Sequence, residues 1–256
     1  MSLETANAGM VALNPAGTRA YVPSYDANNI SVIDTGTNAI IATVPVGARP
    51  FGVAINPAGT RAYVTNNAAY TVSVIDTTAN AVVATIPVQA YPLGVAINPA
   101  GTRAYVVNGL FVNGVGDSIS VIDTASNSVI ATIPTGAGTR GIAVNPAGTR
   151  IFVSSYIQSL NSYGLLVIDA ATNSVLRKVR LSLVNPPSDV AINPAGTRVY
   201  VTNPNGVTVT DAATCNSVIA TIPVLNGSRL AVSPAGNRAF VPISFGNLVA
   251  GLDTVN

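Results

Sequence analysis

The hexapeptide NPAGTR recurs along this chain, and the spacing of its copies decides the fold. Copies begin at Asn14, Asn56, Asn98, Asn145 and Asn193, and a divergent copy, SPAGNR, begins at Ser233. Successive copies start 42, 42, 47, 48 and 40 residues apart. A period in the low forties is typical of β-propellers, in which each repeat forms one four-stranded antiparallel blade. The sequence therefore predicts a single all-β domain over residues 1–256, a six-bladed β-propeller with blades at approximately 9–47, 48–89, 90–136, 137–185, 186–225 and 226–256.

The second repeat shows how one blade is encoded. It contains four short apolar runs: GVAIN at 52–56, RAYVTN at 61–66, VSVIDT at 72–77 and AVVATIPV at 81–88. These runs are rich in β-branched residues, are bounded by Gly, Pro, Asn or Asp, and are too short for helices. We name them strands a, b, c and d, from the centre of the propeller outward. In strand a of every repeat an alanine alternates with larger apolar residues, which suits the narrow centre of a propeller.

The sixth repeat stops after its strand c and has no strand d in the sequence. Residues 2–8 are expected to close the ring by pairing with blade six as its outer strand. A strand left unpaired at this edge would favour association with a second chain. Because residues 2–8 are expected to cover this edge, we expect a monomer. Dimerisation through the edge of blade six is the alternative.

The composition excludes several classes of function. Only 9% of the residues are charged and the net charge is +2, so no nucleic-acid partner is expected, and no apolar run is long enough for a membrane span. The absence of histidine excludes Ser-His-Asp and Cys-His catalysis and any histidine-bearing metal site. The single cysteine, Cys215, cannot form an internal disulfide, and we interpret it as an inert one-residue insertion in a c–d loop. No metal ion or cofactor is predicted.

The strings RAYVTN and VSVIDT…VVATIPV resemble the YVTN family of β-propeller repeats, which occur in bacterial and archaeal surface-layer-like proteins. The likeness recurs six times and covers residues 9–256, with departures such as RAYVPS in the first repeat and RAFVPI in the sixth. The resemblance implies the propeller fold. Abundant Asn, Thr and Ser with few charges are typical of exported proteins, so we expect a secreted or cell-surface protein whose leader is absent from this sequence, with a cytoplasmic location as the alternative. Function does not follow from the fold, because propellers serve both as binding modules and as enzymes.

Residues that recur in every repeat are interpreted as scaffold. An aspartate ends each strand c and is expected to accept hydrogen bonds from turn amides, at Asp34, Asp76, Asp123, Asp169, Asp211 and Asp253. An aromatic residue occupies one position of each strand b and is expected to pack between blades, at Tyr21, Tyr63, Tyr105, Phe152, Tyr200 and Phe240. A functional site is expected among the residues that depart from the repeat.

The remaining aromatic residues all fall in b–c loops or d–a connections, which emerge at the same edge of an antiparallel blade. They are Tyr25, Phe51, Tyr70, Tyr91, Phe111, Tyr156, Tyr163 and Phe245. Charged residues outside the repeat pattern join them in the d–a connections, at Arg49, Arg140, Asp189 and Arg229. The b–c segments 108–118 and 155–164 are longer than in the other repeats, as is usual where a scaffold carries a site.

Two functions fit these residues. The first is a non-catalytic binding propeller whose aromatic and arginine residues contact a protein, a glycan or a small molecule. The second is a histidine-independent lyase, cyclase or lactonase with its site at the channel mouth. In it, Asp189 or Asp26 is the general base, a tyrosine is the acid, and Arg49, Arg140 or Arg229 stabilises negative charge. A salt bridge between Asp189 and Arg229 with a purely structural role is a third interpretation. A deep pocket with a strongly shifted carboxyl pKa would favour the enzyme, and a shallow aromatic rim would favour the binding module.

Overall fold

The chain is almost entirely β-strand. The structure, a computed structural model, describes residues 10–109, 117–136, 138–183, 185–215, 218–225, 227–243 and 248–254, without the side chains of 182 and 183. Its one helix in these residues is a single 3-10 turn, Gln158–Leu160. The described residues contain no helix with the length and hydrophobicity needed to cross a bilayer. The predicted closing strand, residues 2–8, lies outside them.

The described strands form six antiparallel sheets, each with its strands in chain order, which confirms the predicted repeat of a, b, c and d. The chain divides into two compact units, which are described separately. Unit 1 is Met1–Leu110 with Ser118–Pro134, and unit 2 is Phe111–Asp117 with Thr135–Asn256. The assignment of all six blades to a single domain stays a prediction.

Unit 1 holds the first three blades, each a sheet of four strands. Their strands are β1 (Ala12–Leu13), β2 (Arg19–Ser24), β3 (Asn29–Asp34), β4 (Ile40–Pro45), β5 (Pro50–Ile55), β6 (Arg61–Asn66), β7 (Thr71–Asp76), β8 (Ala81–Pro87), β9 (Pro92–Ile97), β10 (Arg103–Asn108), β11 (Asp117–Asp123) and β12 (Ser128–Gly136). The ends of β11 and β12 extend into unit 2.

Unit 2 holds blades four and five, with four strands each, and blade six, with three described strands. The strands are β13 (Ile142–Val144), β14 (Arg150–Ile157), β15 (Ser162–Asp169), β16 (Val175–Leu183), β17 (Asp189–Ile192), β18 (Arg198–Asn203), β19 (Gly206–Asp211), β20 (Val218–Pro223), β21 (Ala231–Val232), β22 (Arg238–Ile243) and β23 (Leu248–Asp253). In β23 the side chains of Leu248 and Val249 are each 63% exposed. Dimerisation through this edge stays a prediction.

The core lies between neighbouring blades. The recurring strand b aromatic is fully buried in five of the six blades, at Tyr21, Tyr63, Tyr105, Phe152 and Tyr200. In unit 1, for example, Tyr21 packs with Val53 and Val64 of the next blade. The prediction is wrong for Phe240, which is 40% exposed. Among the described residues of unit 2, no further sheet covers that face of blade six.

The NPAGTR turn is stabilised by its own asparagine. In the first copy the Asn14 side-chain oxygen accepts the backbone N–H of Arg19 at 3.0 Å, and the N–H of Gly17 donates to the Asn14 carbonyl at 2.8 Å. Gly17 has a φ of +70°, a left-handed conformation that glycine adopts without steric cost. The motif thus encodes a closed turn that repeats in each blade.

The strand c aspartates of blades one to five bind turn amides, as predicted. Asp169 illustrates the arrangement: its Oδ1 accepts the backbone N–H groups of Ala171 at 3.0 Å and Thr172 at 2.8 Å. These hydrogen bonds from Thr172 and Ala171 stabilise the ionised form and hold the pKa of Asp169 below its ordinary value. The same hydrogen-bonded turn follows Asp34, Asp76, Asp123 and Asp211.

The motif arginine links successive blades, a role that the sequence analysis did not assign. The Arg19 guanidinium donates to the carbonyl of Thr77 in the c–d turn of the next blade at 2.8 Å. In unit 2, Arg150 donates to the carbonyl of Ala213 at 2.7 Å, and Arg198 donates to the carbonyl of Thr254 at 2.7 Å. Each of these blades is therefore hydrogen-bonded to its successor at the edge that carries the NPAGTR turns.

Candidate functional site

Two of the predicted site residues in unit 1 form a tyrosine pair. Tyr70 lies in the b–c turn of blade two, and Tyr91 lies in the connection that leads to blade three. Their rings meet edge to face, with centroids 5.0 Å apart and an interplanar angle of 62°. The Tyr91 hydroxyl beside it raises the pKa of the Tyr70 phenol. Tyr70 is 40% exposed, so the pair presents aromatic surface to solvent.

One blade earlier, the same two connections bring a second pair together. The Cζ of Arg49, in the d–a connection, lies 5.5 Å from the centroid of the Tyr25 ring, in the b–c turn. This is a cation–π distance. The backbone carbonyl of Arg49 accepts the N–H of Asn67 at 2.9 Å, which ties this connection to the b–c turn of the next blade. We call Tyr25, Arg49, Tyr70 and Tyr91 the tyrosine cluster.

Three members of the tyrosine cluster have a left-handed backbone conformation. The φ angle is +54° at Arg49, +56° at Tyr70 and +55° at Tyr91. Large side chains seldom adopt this region, because Cβ crowds the backbone there. The repeat shows what the scaffold favours instead. Counted against the repeat, Tyr70 aligns with Asn28 of blade one, and both Arg49 and Tyr91 align with Gly138 of blade four.

Those aligned residues also have positive φ, +55° at Asn28 and +64° at Gly138. Asparagine and glycine are the residues that tolerate this conformation best. In blade one, the Asn28 side chain also accepts the backbone N–H of Arg49 at 2.8 Å, which a tyrosine at that position does not provide. Tyr70 and Tyr91 therefore occupy turn positions at which smaller residues suffice for folding.

The segment 155–164 is not the loop that was predicted. Its residues extend β14 and β15 into a longer hairpin, in which Tyr156 pairs with Tyr163 across the strands. The two rings are again edge to face, with centroids 5.3 Å apart. The hairpin ends in the 3-10 turn and in Asn161, whose left-handed backbone suits asparagine. The physical reason for the difference is that Tyr156 pairs with Tyr163, and Ile157 pairs with Ser162, so that the ladder continues to the turn.

In unit 2, charged side chains stand at a position of strand a where other blades have glycine. Asp189 and Arg229 align with Gly52, Gly94 and Gly141. At Gly141 an added Cβ would lie 2.6 Å from the Val190 nitrogen and 2.7 Å from the Asp189 Cα, so the strands a of blades four and five approach closely. Blades five and six instead carry long side chains at this register. We call Arg140, Asp189 and Arg229 the charged cluster.

Asp189 is the centre of the charged cluster and is only 7% exposed. Its Oδ1 accepts the backbone N–H of Val190 at 2.9 Å, and its Oδ2 accepts the N–H of Leu230, in blade six, at 3.2 Å. Burial raises the pKa of Asp189 to about 6, while the positive charge of Arg229 and the two backbone hydrogen bonds oppose this shift. The carboxylate therefore joins blade five to blade six and interacts electrostatically with Arg229.

The other predicted site residues are dispersed. Asp26 is exposed in the b–c turn of blade one, and Phe51 is half-buried within β5 rather than in a connection. Phe111 and Phe245 lie outside the described residues. The structure thus brings together the tyrosine cluster in unit 1. In unit 2 it brings together the Tyr156–Tyr163 pair and, separately, the charged cluster. The ligand-binding role of these residues stays a prediction.

Unit 2 has a surface pocket of 310 Å³ that was not predicted from the sequence. Its lining residues are Thr135, Gly136, Ile157, Gln158, Ser159 and Lys178. Lys178 lies on the outer strand β16. The sequence feature that could have indicated this pocket is that the long segment 155–164 and the charged strand VLRKVRLSL both fall in blade four.

Cys215 is buried and packs with Phe152, Leu165 and Val199. Burial raises the pKa of its thiol, which lowers the fraction of reactive thiolate. Its φ of +49° places it at the turn position that asparagine occupies in the preceding four blades, at Asn38, Asn80, Asn127 and Asn173. Cys215 thus has the backbone conformation that asparagine has in the other blades, while the c–d loop of blade five is one residue longer than that of blade four. Among the described residues, no group of three or more His, Cys, Asp or Glu side chains converges as a metal site would require.

No protein-family model matches the chain, and no curated protein sequence matches it. Among solved structures, the chain is similar to hydrazine synthase from Kuenenia stuttgartiensis, with a TM-score of 0.64 and 18% identity over 100% of this chain and 97% of that chain. In all, 1507 chains of solved structures match, so the architecture is too widespread to select a function. At this level of identity the likeness shows the fold alone. The chain is a six-bladed β-propeller.

Proposed function

We propose that this protein is a non-catalytic binding propeller of the YVTN-repeat type, acting outside the cell or at its surface. Its partner contacts the b–c turns and d–a connections. The observation that carries the proposal is the left-handed backbone of Arg49, Tyr70 and Tyr91. Each is a large side chain at a turn position that another blade fills with a smaller residue, asparagine or glycine.

The strain at these positions supports a role for the side chains themselves. A left-handed conformation costs a non-glycine residue about 1–2 kcal/mol, and such residues cluster at binding sites. The scaffold does not require tyrosine at these positions, because blades one and four form the equivalent turns with Asn28 and Gly138. Exposed tyrosine and arginine side chains are the composition of interaction hot spots. A protein, a glycan or a small molecule with apolar faces fits this surface.

The alternative, a histidine-independent enzyme, has one observation in its favour. The raised pKa of Asp189, about 6, is suited to a general base. However, both carboxylate oxygens accept backbone N–H groups and the side chain is buried. A base must reach the proton that it removes, so Asp189 is better explained as a link between blades. We therefore favour the binding function.

The proposal predicts that the tyrosine pair can be removed without harm to the fold. In the variant Tyr70→Asn/Tyr91→Gly each tyrosine is replaced by the residue that another blade uses at that position. The contact between the two rings contributes about 0.5–1.5 kcal/mol to stability. The strain energy released at the two left-handed positions is expected to exceed this loss. We expect the free energy of unfolding to rise by about 1 kcal/mol. Binding to immobilised glycan and peptide arrays should decrease at least tenfold. Denaturant titration and array titration measure the two effects.

A matched control changes scaffold instead of the tyrosine pair. The variant Arg19→Gln removes a hydrogen bond at the opposite edge of blade one and should keep wild-type array binding. If the double variant is instead less stable than wild type by more than about 1 kcal/mol, the tyrosines are structural. Unchanged array binding by the double variant would equally contradict the proposal.

A further inference from the structure

The surface pocket of unit 2 is lined by residues that depart from the repeat. Its charged residue, Lys178, stands where strand d of blades one, two, three and five has a threonine, at Thr43, Thr85, Thr132 and Thr221. Ile157, Gln158 and Ser159 belong to the tip of the extended hairpin. The strands of this hairpin have eight residues each, compared with six in strands b and c of blade two. Other blades therefore form without the charged residue and without the long hairpin.

Thr135, near the end of β12, is a third departure from the repeat. Blades one, two and five have a valine at this position, and Val46, Val88 and Val224 pack with the hydrophobic core. The Thr135 hydroxyl oxygen is buried and has no hydrogen-bond partner within the described part of the chain. A buried hydroxyl without a partner is destabilising. Because Thr135 also lines the pocket, a polar ligand bound there can supply the missing partner.

Lys178 and Ile157 lie on the same face of blade four. Lys178, Leu166 and Val153 are opposite one another across three neighbouring strands. Ile157 follows Val153 by four residues on β14, so its side chain leaves the sheet on the same side. The Lys178 side chain is exposed, and among the described residues its ammonium has no hydrogen-bond or ion-pair partner. The pocket thus combines a cation that is open to a ligand with an apolar wall.

The charges around the pocket favour an anion. The six lining residues include no carboxylate. In the same unit, Asp117 is 4% exposed and accepts the backbone N–H of Thr139 at 3.0 Å, and Asp169 binds the amides of the c–d turn. Arg180 follows Lys178 by two residues on β16 and adds a second positive charge on this face. A negatively charged ligand is therefore attracted to this place.

We propose that this pocket binds an acidic monosaccharide of the hexuronate class, as a free sugar or as the end of a glycan. This inference rests on the proposed binding function, because the pocket includes a b–c turn, and it names the ligand chemistry at blade four. Lys178 pairs with the carboxylate of the sugar. Thr135, Gln158 and Ser159 hydrogen-bond to the sugar hydroxyls, and Ile157 contacts a C–H face of the ring.

The size and charge of the pocket support this choice of ligand. A volume of 310 Å³ is at the lower end of the range for ligand pockets, about 300–1,000 Å³, and suits one sugar unit. A carboxylate carries a single negative charge, which matches the single ammonium in the lining, whereas a phosphate ester carries nearly two. A sugar phosphate shares the remaining chemistry and is distinguished below by experiment.

The test measures glucuronate binding to wild type and to Lys178→Thr by NMR chemical-shift titration. Lys178→Thr introduces the residue that four other blades have at this position, so the fold should be retained. We expect a Kd of roughly 1 mM for wild type, and a Kd at least about tenfold higher for the variant, because a charge-assisted hydrogen bond is lost. Glucose lacks the carboxylate and acetate lacks the hydroxyls, so each should bind wild type more weakly than glucuronate. Glucose 6-phosphate should also bind more weakly.

Two further variants separate the pocket from its surroundings. Arg180→Gln removes a charge from the same strand but outside the lining, and should keep the wild-type affinity at an ionic strength that screens distant charges. Thr135→Val should weaken glucuronate binding without lowering the melting temperature. Three results would overturn the proposal: no glucuronate binding by wild type, an equal loss in Arg180→Gln and Lys178→Thr, or acetate or glucose 6-phosphate bound as tightly as glucuronate.

The tyrosine pair distinguishes this inference from the proposed function. Tyr70→Asn/Tyr91→Gly changes unit 1 alone and should bind glucuronate as wild type does. If array binding depends on the tyrosine pair but glucuronate does not bind, this inference alone fails. If glucuronate binds through Lys178 but array binding is independent of the tyrosine pair, the proposed role of the tyrosines fails and the pocket stands.

Discussion

Replacing Gly52 by alanine is expected to lower the free energy of unfolding by about 3 kcal/mol or more. An added Cβ would lie 2.3 Å from the Leu93 carbonyl oxygen in strand a of the next blade, and 3.0 Å from the Thr65 hydroxyl. Neither neighbour can retreat easily. The Thr65 hydroxyl accepts the N–H of Gly52 at 2.7 Å and donates to the Leu93 carbonyl at 2.7 Å, so it joins three strands. Alanine would force the strands apart and break this bridge.

Denaturant unfolding of Gly52→Ala measures the loss, with Gly36→Ala as the control. Gly36 lies in an exposed turn, and an added Cβ there would meet only the Asp34 carboxylate oxygen, at an ordinary 3.4 Å. The control should therefore change the free energy of unfolding by about 0.5 kcal/mol or less. A loss below about 1 kcal/mol in Gly52→Ala would contradict close packing of strands a in blades two and three.

The second large effect is a fall in stability as pH rises from 4 to 6. Burial raises the pKa of Asp189 from 3.8 to about 6. Between these values the folded state holds a proton that the unfolded state has released, so the free energy of unfolding decreases as pH increases. The destabilisation is absent below pH 3.8 and complete above about pH 6. A difference of about two pKa units corresponds to about 3 kcal/mol.

Unfolding titrations of wild type and Asp189→Asn at pH 4, 5, 6 and 7 test this effect. The wild-type free energy, measured relative to that of Asp189→Asn, should fall by about 2.4 kcal/mol over the range. A constant difference between the two proteins would show that folding does not raise the pKa of Asp189. Asp169→Asn is the contrasting control. The lowered pKa of Asp169 contributes stability that is present above pH 3.8 and is lost only as pH falls below that value.

The scaffold was predictable because the sequence repeats. Asn14, Gly17 and Asp169 each act within a few residues of themselves, so the same letters in every repeat identify the same turns. Buried aromatic residues such as Tyr63 follow from alternation along a strand. The exposure of Phe240 departs from that pattern, because burial there depends on a neighbouring blade.

The candidate site was predictable only as a set of residues that break the repeat. The left-handed backbone of Tyr70 and Tyr91 depends on how each turn closes, which propensity does not reveal when the residue is tyrosine. The burial of Asp189 depends on contact with Leu230, 41 residues away. The extended hairpin depends on the register of Tyr156 with Tyr163. Each of these features follows from packing between segments and not from any single segment.

In each of the three observed cases the motif arginine donates to the c–d turn of the blade that follows in the chain, so these links between blades all run in the same direction. Blade five carries both halves of this joint, because Arg198 donates to blade six and the carbonyl of Ala213 accepts from Arg150 of blade four. A duplicated copy of such a repeat would bring both halves of this joint with it. Because such a repeat is hydrogen-bonded to both neighbouring blades, substitutions at the arginine or at the c–d turn affect a contact with one or the other. At the opposite ends of the strands the links between blades are made by residues outside the repeat, such as Asp189, and there the repeats are free to diverge.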